Sequence, residues 1–246
     1  MIDQIKQLLI PYKVEGLQRY GDEYDGGYIF KKDLVNNTKY IYSYGVGPDD
    51  TYITFDKMLA GLNKDIYLYD ASVKQPWWDQ PKFHFKPEYV NSSNILNHIK
   101  ENGHQDTTDM ILKMDIEGNE FETLLNCDES VFDHYNQIGI EIHDVLNSHA
   151  EPYFVMNAHD PRLRWENKIN LFTRLNRYYK LVHIHANNCS VAKSDGIADV
   201  LELTYIRNDY MPDRPEISRN ACPIEGLDYR NSHDGPEIHM DWWTSL

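Results

Sequence analysis

The chain has 246 residues, of which 41% are hydrophobic and 13% aromatic, enough for one sizeable α/β core with elaborations. A formal net charge of −15 argues against a general nucleic-acid backbone binder, which needs a basic footprint. Cys127, Cys189 and Cys222 are widely spaced without a CxxC pair, so neither a disulfide framework nor a zinc motif is expected.

Ile2, Ile5, Leu8 and Leu9 share one helical face, which predicts a short amphipathic helix over 2–10 closed by Pro11. This start lacks signal-peptide organisation and no later apolar run reaches membrane-spanning length, so a cytoplasmic protein without a membrane span is expected. Asp25-Gly26-Gly27 between Tyr24 and Tyr28 is turn chemistry, and paired glycines also let a ligand approach backbone N–H groups closely. Tyr40 to Tyr44 reads as a strand running into Gly45-Val46-Gly47-Pro48-Asp49-Asp50, followed by helical spacing of Phe55, Met58, Leu59 and Leu62. Strand, glycine turn and helix make the first half of a nucleotide-binding βαβ unit. The third small residue of the dinucleotide fingerprint is missing, and Pro48-Asp49-Asp50 would repel a pyrophosphate; a ligand without phosphates is expected. A second strand, 65–69, ends in Asp70, placed to accept both hydroxyls of a ribose. Trp77 and Trp78 read as packing under a loop.

Residues 82–86 look like a third strand. Ser92 or Ser93 is expected to cap a helix carrying Ile95, Leu96 and Ile99, closed by Asn102-Gly103. The fourth strand, Met110 to Met114, ends abruptly in Asp115, Glu117, Gly118 and Glu120. Three carboxylates at a strand end repel one another unless something compensates them, although acidic residues also suit a helix start. In the fifth strand, 138–143, alternation puts Ile138, Ile140 and Ile142 on one face and Glu141 and His143 on the other. Glu141 is costly in mid-strand unless it has a partner. A helix over 166–179 precedes a sixth strand, 179–185, which ends in Ala186-Asn187-Asn188. The seventh, 200–206, follows without room for a helix, so these two strands should be antiparallel. The sum is an α/β fold with a seven-stranded, doubly wound, mostly parallel sheet carrying one antiparallel strand. The single domain divides into an N-terminal helix and covering segment (1–39), the core (40–207) and an irregular wrap (208–246) pinned by Trp242 and Trp243.

Lys113-Met114-Asp115-Ile116-Glu117-Gly118-Asn119-Glu120 resembles the K-x-D-I-E-G-x-E signature of FkbM-like S-adenosylmethionine-dependent methyltransferases. Asp25 to Tyr28, and His183-Ile184-His185-Ala186-Asn187-Asn188, resemble patterns in sugar-modifying relatives; the likeness spans roughly residues 20 to 207 and leaves the tail unmatched. It implies a Rossmann-like class I methyltransferase using S-adenosyl-L-methionine. It also implies Gly45 and Gly47 against the methionine part of that cofactor, Asp70 on its ribose, and Asp25, Gly26 and Gly27 closing over it; Glu117, from its place at the strand end, is read as supporting Asp115 or lying on the cofactor side. The family typically methylates a hydroxyl oxygen, often of a carbohydrate, which suggests surface-glycan or capsular polysaccharide biosynthesis. His143 and His185, at strand ends facing the crevice, are candidate bases, with Asp115 beside them as the leading active-site carboxylate. Asp115, Glu141 and His143 are an alternative Mg²⁺ or Mn²⁺ set that would lower the acceptor's pKa. Two further readings are a metal-dependent hydrolase on the same cluster and a non-catalytic binding module.

Overall fold

The computed structural model describes residues 1–146, 164–189 and 195–246. Its centre is a sheet of seven strands: β3 (Tyr40–Tyr44), β4 (Asp65–Tyr69), β5 (Phe83–Lys86), β6 (Met110–Met114), β7 (Tyr135–Ile142), β8 (Tyr179–Ala186) and β9 (Leu201–Arg207). Across the sheet they lie in the order β5-β4-β3-β6-β7-β9-β8. β9 runs antiparallel to both neighbours, so the single reversed strand is inserted between β7 and β8. β3 pairs in parallel with β4 on one side and β6 on the other. The strand order therefore reverses there, and a crevice opens beyond the carboxyl ends of β3 and β6.

Period-two alternation sorts the core into two layers. Tyr42, Tyr44, Leu112, Met114, Ile138, Ile140 and Ile142 face α4 (Ile95–Glu101), α5 (Glu120–Asn126), α6 (Trp165–Tyr178) and α1 (Ile2–Leu8). Ile41, Ile66, Leu68 and Ile111 face the opposite side, under Phe55 and Leu59 of α3 (Thr54–Gly61) and Val35 of α2 (Lys32–Asn37). Over β7 and β9 that second face is covered by a small antiparallel hairpin, β1 (Leu17–Tyr20) with β2 (Tyr28–Lys31), where the sequence suggested only a turn. The sheet bonds β2 through side chains: Gln137 Oε1 accepts from the Lys31 amide at 2.7 Å, and Thr204 Oγ1 donates to the Ile29 carbonyl at 2.6 Å. These contacts satisfy backbone groups that would otherwise be buried unpaired. Gly139 makes the close approach feasible, because a Cβ there would lie 2.5 Å from Phe30 Cζ.

Three details differ from the sequence reading. Trp77 and Trp78 are exposed rather than packed, at 66% and 45%; the Lys57 ammonium lies 3.9 Å from the centre of the Trp78 ring. Neither Ser92 nor Ser93 caps α4, since their hydroxyls donate to Glu122 and Asn91. α2 was not anticipated at all, because Lys32 to Asn37 shows too short a pattern to register. The segment beyond Met211 returns to the start of the chain: Tyr12 bridges Ile217, Trp242 Nε1 donates to the Lys6 carbonyl, and Trp243 is buried with its indole N–H on Asn220. Among the described residues no helix is long and apolar enough to cross a membrane.

Candidate active site

The crevice begins at the end of β3. Gly45 and Gly47 both adopt positive φ, and a Cβ on Gly45 would fall 1.6 Å from the Asp115 carbonyl oxygen. Only glycine fits there, for steric and conformational reasons together. Asp70, at the end of β4, holds the turn: its Oδ2 accepts from the amides of Val46 (2.8 Å) and Gly47 (3.2 Å), and its Oδ1 from the amide and hydroxyl of Ser72. Burial opposes the Asp70 charge, but the Ser72 and glycine-turn donors hold its carboxyl below the usual range. The four bonds fill its acceptor capacity, so a ribose hydroxyl at Asp70 must replace one of these donors. Gly45, Gly47, Asp70, Glu88, Asp115 and Glu117 line a cleft of about 420 Å³. That volume lies within the range of small-molecule and cofactor sites.

The opposite wall comes from β6 and β7. Asp115 leaves β6 with its Oδ2 3.1 Å from the Tyr28 hydroxyl, which donates, and 3.7 Å from the Lys113 ammonium. Burial, reinforced by Asp115, keeps the Tyr28 phenol well above its ordinary pKa, so it stays a donor. Glu117 takes positive φ and turns toward the cleft. Glu120 turns inward instead: it is fully buried and accepts from the amides of Ile116 and Gly118, closing the amino end of α5 from its own first residue. His143 Nδ1 lies 3.3 Å from Glu120, and its Nε2 is 3.5 Å from Glu117 and 3.6 Å from Glu141. Burial disfavours an imidazolium here, yet Glu120, Glu141 and Asp115 outweigh it and raise the His143 pKa well above normal.

A third group lies under the hairpin. Glu141 on β7 is in register with Glu202 on β9, and both are buried. With Asp25, from the β1–β2 turn, they bring one ligand atom each within 4.8 Å of one another. Asn187 donates to Glu141 at 2.9 Å, and Asn231 from the C-terminal segment donates to Glu202 at 2.6 Å. Burial and then Asp115 push Glu141 well up, and burial and Glu202 raise Asp25. Glu202 goes the other way: burial opposes its charge, but a hydrogen bond from His185 holds it down. His185 is fully buried between Glu202 (3.0 Å, at Nδ1) and Glu237 (2.7 Å, at Nε2). Burial resists its charge, and those two carboxylates still raise it to about 10.

Gly45, Gly47, Asp70, Asp115 and Glu117 thus line one cleft, and His143 stands beside it between Glu117 and Glu141. His185 stands apart, with both ring nitrogens committed. Among the described residues the metal-sized triads are Asp115, Glu120 and His143, and Asp25, Glu141 and Glu202; the expected set of Asp115, Glu141 and His143 is not one of them, although Glu141 lies 3.6 Å from His143. Glu120 already serves two backbone amides and His143, so the first triad fits a divalent cation poorly. Tyr28 and Lys113 were missed as members of the site. Both lay inside the quoted motifs, Lys113 at the head of the octet and Tyr28 after Asp25-Gly26-Gly27, but neither was placed beside Asp115.

A doubly wound sheet with this strand order, a glycine turn at the switch point and an acidic residue closing the next strand is a Rossmann-like fold with its ligand crevice at the switch point. Residues 9–168, well over half of the chain, match the family described as the methyltransferase FkbM domain, and the chain belongs to that family. It is an S-adenosylmethionine-dependent methyltransferase. No curated protein matches the chain. A similar solved structure is that of a mutant 16S rRNA (adenine(1408)-N(1))-methyltransferase from Catenulisporales acidiphilia. It is 11% identical, covers 78% of this chain and 97% of its own, and has a TM-score of 0.35. The family match ends at residue 168, before β8, β9 and the C-terminal segment.

Proposed function

We propose that the enzyme methylates a hydroxyl oxygen of a sugar or sugar-linked group, as in surface-polysaccharide assembly. The observation that carries this reading is the polar wall beside Asp115: Asp25, Glu141 and Glu202 with the amides of Asn187 and Asn231, all adjoining one another. Such a wall offers acceptors and donors in the density a polyhydroxylated acceptor requires. The net charge of −15 favours a small or glycan acceptor over a nucleic-acid backbone.

S-adenosylmethionine, when bound, supplies an electrophilic methyl group on sulfonium; Gly45, Gly47 and Asp70 are the residues to hold it. Asp115 would receive the acceptor's proton as the methyl carbon bonds to oxygen and its bond to sulfonium sulfur breaks, leaving the neutral thioether, and Tyr28 and Lys113 fix the Asp115 carboxylate in place. His143, kept as an imidazolium by its carboxylate neighbours, acts as a donor that orients the acceptor oxygen rather than as a base. The same reasoning removes His185 from the chemistry, since its two nitrogens hold Glu202 and Glu237. Positioning supplies most of the acceleration, and the base adds roughly 10²–10⁴-fold.

The test is transfer of a labelled methyl group to a panel of saccharides and sugar nucleotides, each beside its deoxy analogue. A methyl ether lost with one particular hydroxyl is the expected product. Asp115→Asn should lower kcat by about 10²–10⁴ while S-adenosylhomocysteine still binds. Methylation of nitrogen or of nucleic acid by the wild type would overturn the acceptor assignment, and an unchanged kcat in the variant would overturn the base.

A further inference from the structure

Lys113 is out of keeping with its strand. All five residues of β6 are buried, and Lys113 is 2% exposed. A desolvated ammonium costs several kcal/mol, of order, unless its surroundings compensate it. The compensation is specific. Nζ donates to the Gly45 carbonyl at 2.6 Å, stands 3.7 Å from Asp115 Oδ2, and lies 5.2 Å from the centre of the Tyr28 ring. On the same face of the sheet, Asp56 of α3 is fully buried, with the Ser43 hydroxyl as its side-chain hydrogen-bond donor. Burial pushes the Asp56 carboxyl up to about 6, and the charge of Lys113 is the strongest influence opposing that rise.

The glycine turn has little else to orient it. Gly45 has no side chain and no room for one, so the turn is aimed by its bonds. Its amides are held from β4: Gly45 N–H by the Tyr69 carbonyl, and Val46 and Gly47 by Asp70. Lys113 is the side chain that brings β6 into this set, and it does so from a point within reach of Asp115.

We propose that Lys113 is the positioning residue of the methyl-donor site: its buried ammonium locks the glycine turn to Asp115 as one unit, with Asp56 as its buried counter-charge. The cofactor side and the reacting side of the crevice are then aligned by one side chain, before any ligand arrives. Lysine suits this task because a single ammonium can serve a carbonyl and a carboxylate at once on a long, apolar stem.

The experiment pairs calorimetry with S-adenosylhomocysteine and thermal melting, on Lys113→Met, Asp56→Asn and the double variant. Removing a charge-assisted hydrogen bond from the turn should weaken S-adenosylhomocysteine binding by about tenfold or more in Lys113→Met. The same variant strands Asp56 and should melt well below wild type. The double variant loses both buried charges, so most of its melting temperature should return while its affinity stays low. Because the double variant is the better folder, it carries the test even if Lys113→Met does not fold. Wild-type affinity in the double variant overturns the positioning role, leaving Lys113 a structural residue only. A double variant that melts no higher than Lys113→Met overturns the assignment of Asp56.

Discussion

Single atoms decide much of this site. The pro-side-chain hydrogen of Gly45 points at the Asp115 carbonyl, where a methyl group would overlap at 1.6 Å. Gly45→Ala must move β3 away from β6 or invert the turn, and either change spoils the cleft. The expected outcome is loss of S-adenosylhomocysteine binding with a stability cost on the order of 1–3 kcal/mol, read by calorimetry and urea denaturation. His185 gives a pH signature. Its pKa rises from 6.5 unfolded to about 10 folded, so the stabilisation it provides is complete below pH 6.5 and is lost as pH climbs toward 10. Its partner Glu202 is depressed below 4.5, so that contribution is present above pH 4.5 and fades as acid is added. Stability should therefore fall on the alkaline side by a few kcal/mol, and His185→Gln should flatten that limb when unfolding free energies are measured from pH 6 to 10. A variant that keeps the full alkaline slope would show that another group is responsible.

At the scale of elements, the hairpin of β1 and β2 does what a helix does elsewhere in the fold: it roofs β7 and β9 and delivers Asp25 and Tyr28 to the crevice. Its seat depends on Gly139. Gly139→Ala would force Phe30 aside from a 2.5 Å contact, with an expected loss of about 1–3 kcal/mol in denaturant melts and a weaker hold on Asp25 and Tyr28. How legible this was in sequence varied by element. The seven sheet strands and their one reversal followed from apolar runs and from the short link between β8 and β9, because parallel buried strands leave a dense apolar signature. The hairpin did not, since four-residue strands flanked by Asp, Gly and Glu look like a turn. The site divided in the same way. The meeting of Gly45, Gly47, Asp70 and Asp115 on one cleft was readable because all four sit at or just past strand ends. The direction of charge on His143 and His185 was not, because it depends on carboxylates brought in from α5, β9 and the C-terminal segment. Trp77 and Trp78 show the converse failure: large apolar residues suggested packing under a loop where both side chains stay exposed.

The whole molecule is tied together by residues far beyond the family's matched region. Asp228 pairs with His183, Glu237 with His185, and Asn231 reaches Glu202, so the C-terminal segment pairs the buried ionisable residues of β8 and β9. The same segment carries a consequence in time. Tyr12 and Ile217 are joined as a β-bridge, flanked by bonds from Lys13 to Glu216 and from Ser218 to Pro11. Such a bridge closes a loop of roughly 200 residues, among the costliest closures the chain can make in entropy, and it comes after the sheet has formed rather than before. Pulse-labelling hydrogen exchange during refolding should find the Lys13 and Ser218 amides, which bond across the bridge, protected later than those of β3 and β6; simultaneous protection would contradict this order. On a ribosome the Lys13 amide must wait for a partner, the Glu216 carbonyl, that is made roughly 200 residues later.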